Sequence, residues 1–150
     1  MEIYEVLKKD HKAVAALFEQ IEETTERAQK GRKDLFATLR EQLLAHALAE
    51  QEVFYKPLLA RVEKDREDRD LLLEAFEEHN VLELLFGDID GCPVDDERWL
   101  SKVTVLREIV EHHVEEEEKE LFTLAREHFS KEEAQEIARQ MQERKDELIG

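Results

Sequence analysis

Apolar residues recur along this chain at alternating steps of three and four, the period of a helix with one buried face. Leu7, Val14, Phe18 and Ile21 form one stripe, and Leu39, Leu43 and Val53 a second. Leu72, Phe76 and Phe86 form a third, and Leu106, Val110, Leu121 and Leu124 a fourth. No segment shows the alternation of a strand. The breaks are few: Gly31 in "AQKGRK", the wholly charged "EKDREDRD" (63–70), "GDIDGCPVDD" (87–96), and Ser130, which opens a capping box with Glu133. They predict helices over about residues 2–29, 33–63, 69–86, 96–128 and 131–148.

Four long helices with short connections predict an all-α, up-down-up-down four-helix bundle over about residues 2–128. Residues 131–148 form a short fifth, C-terminal helix. Its stripe of Ala134, Ile137, Ala138 and Met141 predicts a lid or cap packed across the bundle, the alternative being an exposed tail. No linker is long enough to divide the chain, so residues 1–150 read as a single domain.

Charged and hydrophobic residues each make up 41% of the chain, with four Gly and two Pro, a balance that suits a helical bundle. The net charge of −17 argues against nucleic acid and anionic membranes as partners, and is compatible with binding cations. The lone Cys92 makes neither an intrachain disulfide nor, by itself, a thiolate metal site. Nothing basic surrounds it to activate the thiol, which favours an inert loop residue over a redox partner or a disulfide between chains. The N-terminus has no apolar signal core and no run reaches membrane-spanning length, so a cytoplasmic protein is expected. Nothing separates a monomer from a dimer.

Each apolar stripe is interrupted by histidine. His11 enters the first, His46 and Glu50 the second, His79 and Glu83 the third, His113 and Glu117 the fourth. Residues i and i+4 lie about 40° apart on a helix, so each His–Glu pair points one way. A buried carboxylate without a compensating charge costs several kcal/mol, and no Lys or Arg shares these stripes. A pair of divalent or trivalent metal ions offsets that cost. Mixed imidazole and carboxylate ligands favour iron, with manganese or zinc as possible substitutes. In "EHHVEEEEKELF" (111–122) helical phase selects His113 and Glu117. His112 is one step, about 100°, from His113 and reads as a surface residue or as a support behind the ligands. Glu118 is rotated some 140° from His113, so Glu117 is the favoured ligand over it. His128 reads as a partner of a helix C-terminus. No residue is assigned to catalysis or to an organic cofactor.

Four stretches, "DHKAV" (10–14), "HALAEQEVFYKPLL" (46–59), "EEHN" (77–80) and "HHVEEEEKELF" (112–122), together resemble the hemerythrin-like HHE cation-binding family over about residues 4–128. The second and fourth echo each other: His, Glu four later, and an aromatic nine after the His, Tyr55 and Phe122. The resemblance implies two irons joined by an oxo or hydroxo bridge. His11 and His46 would hold one iron, His79, Glu83 and His113 the other, and Glu50 and Glu117 would bridge them. Oxygen carriers of the family have histidine where this chain has Glu83, and aspartate where it has Glu118. A third carboxylate favours the ferric state over reversible oxygen carriage.

The leading expectation is therefore a non-haem diiron protein that binds, senses or detoxifies a small oxidant: oxygen, peroxide or nitric oxide. Weak peroxide-decomposing or oxidase activity is one form of it. The alternatives are an iron-binding or storage protein without turnover, and an interaction bundle without metal.

Overall fold

The computed structural model describes all 150 residues and contains only helices. Helix α1 spans Ile3–Glu22. Helix α2 runs from Gln29–Glu50 through a π-turn, Gln51–Tyr55, into Lys56–Arg61. Helix α3 spans Arg66–Asp90. Helix α4 runs from Trp99–Glu116 through a second π-turn, Glu117–Leu121, into Phe122–His128. Helix α5 spans Lys131–Ile149. The neighbour pairs α1–α2, α2–α3, α3–α4 and α4–α1 close the ring of an up-down-up-down bundle. Helix α5 packs along α1 and α2, with Ala134, Ile137, Ala138 and Met141 buried. No helix is long and apolar enough to cross a membrane.

Local chemistry explains the helix ends. Asp65 caps α3 by accepting from the Asp68 amide at 3.1 Å. Ser130 and Glu133 make the expected reciprocal capping box on α5. Helix α1 stops at Glu22, short of the expected 29. The buried Arg32 organises the chain after it. Its guanidinium donates to Thr24 Oγ1 at 2.9 Å and to the Val94 carbonyl at 2.7 Å, and lies 5.1 Å from the Trp99 ring. One side chain thus ties the α1–α2 loop to the α3–α4 loop.

The π-turns matter more for function. In each, the first amide after the turn bonds a carbonyl five residues back: Lys56 to Gln51, and Phe122 to Glu117. One residue is absorbed, so everything beyond the turn lags by about 100°. Tyr55 lies nine residues after His46 and would point about 180° away on a regular helix; the π-turn brings it to about 80°. Pro57, just past the first turn, has no N–H to give the ladder, which lowers the cost of a widened turn there.

The apolar core is in two pieces. One holds Tyr4, Phe54, Tyr55, Leu58, Phe122 and Met141 at the α5 end. The other holds Phe18, Phe36, Leu82, Phe86, Trp99 and Leu106 at the loop end. A layer of buried His46, Glu50, His79, His113 and Glu117 lies between them.

Replacing Arg32 with Ala strands the partly buried acceptors it serves. The expected loss is about 2 kcal/mol, a drop in thermal midpoint of roughly 4–8 °C, with metal capacity unchanged. Calorimetry together with metal analysis checks both halves of that statement.

Candidate metal centre

The buried layer is built from pairs. His11 and His46 stack edge to face with ring centroids 5.2 Å apart, and His79 and His113 do so at 4.8 Å. Glu50 spans the pairs: Oε2 lies 3.4 Å from His46 Nε2 and Oε1 lies 3.2 Å from His79 Nε2. Glu117 spans them again, with Oε1 3.1 Å from His11 Nε2 and Oε2 3.5 Å from His113 Nε2. Both glutamates are 0% exposed. His11, His46, Glu50 and Glu117 bring ligand atoms within 4.8 Å of one another, and so do Glu50, His79 and His113.

Every imidazole is held from behind. His11 Nδ1 faces Glu118 at 2.7 Å, His46 Nδ1 faces Asp10 at 2.8 Å, His79 Nδ1 faces the Gln51 carbonyl at 3.0 Å, and His113 Nδ1 faces Glu78 at 2.7 Å. These oxygens only accept, so each Nδ1 carries the proton and donates. That leaves four Nε2 lone pairs turned inward. Both Glu50 oxygens and Glu117 Oε1 are buried without a hydrogen-bond donor. Lone pairs and anionic oxygens facing each other repel unless a cation lies between them. The donor set therefore fits a pair of metal ions.

Tyr55 joins the site. Its hydroxyl donates to Glu117 Oε2 and lies 3.1 Å from His113 Nε2 and 3.4 Å from His79 Nε2. Burial, and then the charges of Glu117 and Glu50, push its phenol well above the ordinary range. The residue was within reach of the sequence as the aromatic nine positions after His46, but the π-turn that aims it was not.

Six of the seven expected ligands converge; Glu83 does not. It is exposed and belongs to neither group of ligand atoms. The buried face of α3 passes from His79 to Leu82 and Phe86, a step of three. The i+4 position, one step past Leu82, turns to solvent. The expected ferric bias from a third carboxylate loses its basis. Glu118, rather than replacing Glu117, supports His11. His112 is at the surface, where its Nε2 lies 3.1 Å from Glu116. His128 lies at the end of α4, where its carbonyl accepts from Arg61. A cavity of about 20 Å³ borders all four imidazoles and is walled by Val14, Leu43, Ala47, Leu82, Val110 and Val114. It has room for about one water-sized molecule.

Without metal, protons take the cation's place. Burial opposes charging His46, but Glu50 and Asp10 outweigh it and raise its pKa to about 10. Burial likewise opposes charging His113, and Glu117 and Glu78 raise it to about 10. Burial disfavours the Glu50 carboxylate, yet His46 and His79 hold it well below its ordinary 4.5. The raised histidines stabilise the fold fully below their ordinary 6.5, and that contribution is lost as pH climbs towards about 10. The lowered Glu50 contributes above 4.5 and loses its contribution as pH falls. The thermal midpoint of metal-free protein should fall as pH rises from 6.5. Metal uptake should release protons and tighten over that window, which calorimetry in buffers of different ionisation enthalpy reads out.

Comparison with known proteins agrees with this geometry. The hemerythrin HHE cation binding domain matches residues 2–125. A Nostoc sp. protein named as a DNA nickase is 30% identical over 138 residues, which cover 92% of this chain and 37% of that protein. The chain thus spans little more than a third of that relative. The crystal structure of a hemerythrin HHE cation binding domain-containing protein from Mycobacterium kansasii superposes with a TM-score of 0.85. It covers 100% of this chain and 88% of that one at 23% identity, a likeness of fold. The chain belongs to the hemerythrin HHE cation-binding domain family.

Proposed function

We propose that this protein holds two iron ions, oxo- or hydroxo-bridged, and uses them to bind, sense or remove a small oxidant such as oxygen, peroxide or nitric oxide. The observation that carries this reading is the double span of Glu50 and Glu117 across two histidine pairs. His11 and His46 would hold one ion, His79 and His113 the other, with both glutamates within reach of both. Bound iron supplies the electron-transfer and Lewis-acid chemistry. The chain's own residues supply the rest. Glu118, Asp10, Gln51 and Glu78 fix the imidazoles with Nε2 inward. The apolar walls of the cavity exclude all but very small molecules. Tyr55 donates to Glu117 Oε2, and with that proton displaced to solvent by the Lewis-acid iron its oxygen would be a fifth donor on the His79/His113 side, where the resemblance places Glu83.

The cavity favours ligand handling over storage, because it gives a small molecule room beside all four imidazoles. The nucleic-acid activity in the Nostoc relative's name is not carried to this chain, whose net charge of −17 disfavours contact with nucleic acid. No membrane is invoked, and a cytoplasmic setting suits the free thiol.

Metal analysis should find two irons per chain at saturation. His113→Ala should lose at least one, while His112→Ala and Glu83→Gln should match wild type. Ferric protein should carry a visible phenolate-to-iron charge-transfer band that Tyr55→Phe abolishes. A band that survives in Tyr55→Phe removes Tyr55 from the ligand set, and no bound iron in wild type removes the reading.

A further inference from the structure

The four imidazoles are backed by unlike acceptors. Glu118 and Glu78, behind His11 and His113, are partly exposed carboxylates with no Lys or Arg on them. Gln51, behind His79, is a neutral amide. Only behind His46 is the acceptor itself ion-paired: Lys145 Nζ reaches the two oxygens of Asp10 at 2.6 and 2.7 Å.

Lys145 comes from helix α5, beyond the residues 2–125 that match the family. It continues the buried stripe of Ala134, Ile137, Ala138 and Met141, and its side chain is 11% exposed. An apolar residue would suit that stripe at least as well, because burying an ion pair seldom adds net stability over a hydrophobic replacement. A lysine here breaks the local pattern, and its one carboxylate partner is a residue that holds a metal-facing imidazole.

We infer that Lys145 is a positioning residue for the His46 half of the metal centre, acting through Asp10. This rests on the two-ion reading above. By gripping both oxygens, Lys145 keeps Asp10 Oδ2 in line with His46 Nδ1, and so keeps Nε2 aimed at Glu50. By neutralising Asp10, it limits the pull on the imidazole proton. Helix α5 thereby contributes one residue to the support of one half of the site. The other half, backed by Gln51 and Glu78, has no such link.

The test is anaerobic titration of the full chain with cobalt(II) against a competing chelator, resolving two equivalents. Lys145→Met should weaken one equivalent about tenfold and spare the other. Lys145→Arg, which can still reach both Asp10 oxygens, should restore it. Asp10→Asn should weaken the same equivalent, and adding Lys145→Met to it should weaken it no further, because both act on one imidazole. Gln51→Ala should weaken the other equivalent, additively with Lys145→Met. Met141→Ala loosens the docking of α5 without touching Asp10; it should lower the thermal midpoint and leave both equivalents alone. Lys145→Met that changes neither equivalent, or both alike, overturns the inference. So does a Met141→Ala variant that reproduces its loss. If Lys145→Met does not fold, the half-selectivity of Asp10→Asn and its rescue-free double with Lys145→Arg decide the matter. Wild type that binds fewer than two cobalt ions sinks the two-ion reading itself, a failure distinct from those of the variants.

Discussion

Two fully buried carboxylates, Glu50 and Glu117, face each other across the middle of the bundle with three of their four oxygens lacking a hydrogen-bond donor. Leaving such groups uncompensated costs several kcal/mol each. The surrounding structure answers that cost at every level. The apolar core divides to make room for them. Four imidazoles turn toward them. Outside those, an acceptor behind each ring dictates which nitrogen carries the proton and which meets the carboxylate. The packing is thus arranged around positive charge, which imidazolium protons supply wherever a metal ion does not.

Most of that arrangement was legible because it is local. Helical phase alone places His46 with Glu50 and His113 with Glu117, and separates His113 from His112 and Glu117 from Glu118. The same reasoning failed at Glu83, where the buried face of α3 steps by three to Leu82 instead of by four. One spacing rule applied to three helices matches the burial of Glu50 and Glu117 and not that of Glu83. Tyr55 was hidden for the complementary reason. Its aim depends on a helix that departs from 3.6 residues per turn, and a fixed period cannot show it.

What no local pattern could disclose is the ring of outer partners. His11 and Glu118 are separated by 107 residues, and Lys145 and Asp10 by 135. Such pairs are set by how the helices close on one another. A glutamate in a charged run looks the same whether it faces water or supports a ligand. In "HVEEEEKE", Glu117 lies in the core, Glu118 holds His11, and Glu115 pairs with Lys119 at the surface.

The π-turns also divide each of their helices into two rotational frames. Residues before the turn keep one phase, serving the histidines and the loop-end core; residues after it keep another, serving the aromatic cluster and the seat for α5. The two ends of the bundle can therefore differ in orientation without either being strained to fit the other. A single-residue deletion within 51–55 would heal the hydrogen-bond ladder and leave Leu58 facing as it does now, whereas a regular helix through the same undeleted residues would turn Leu58 and everything beyond it by about 100° relative to His46. In these helices, perfect regularity would be the defect.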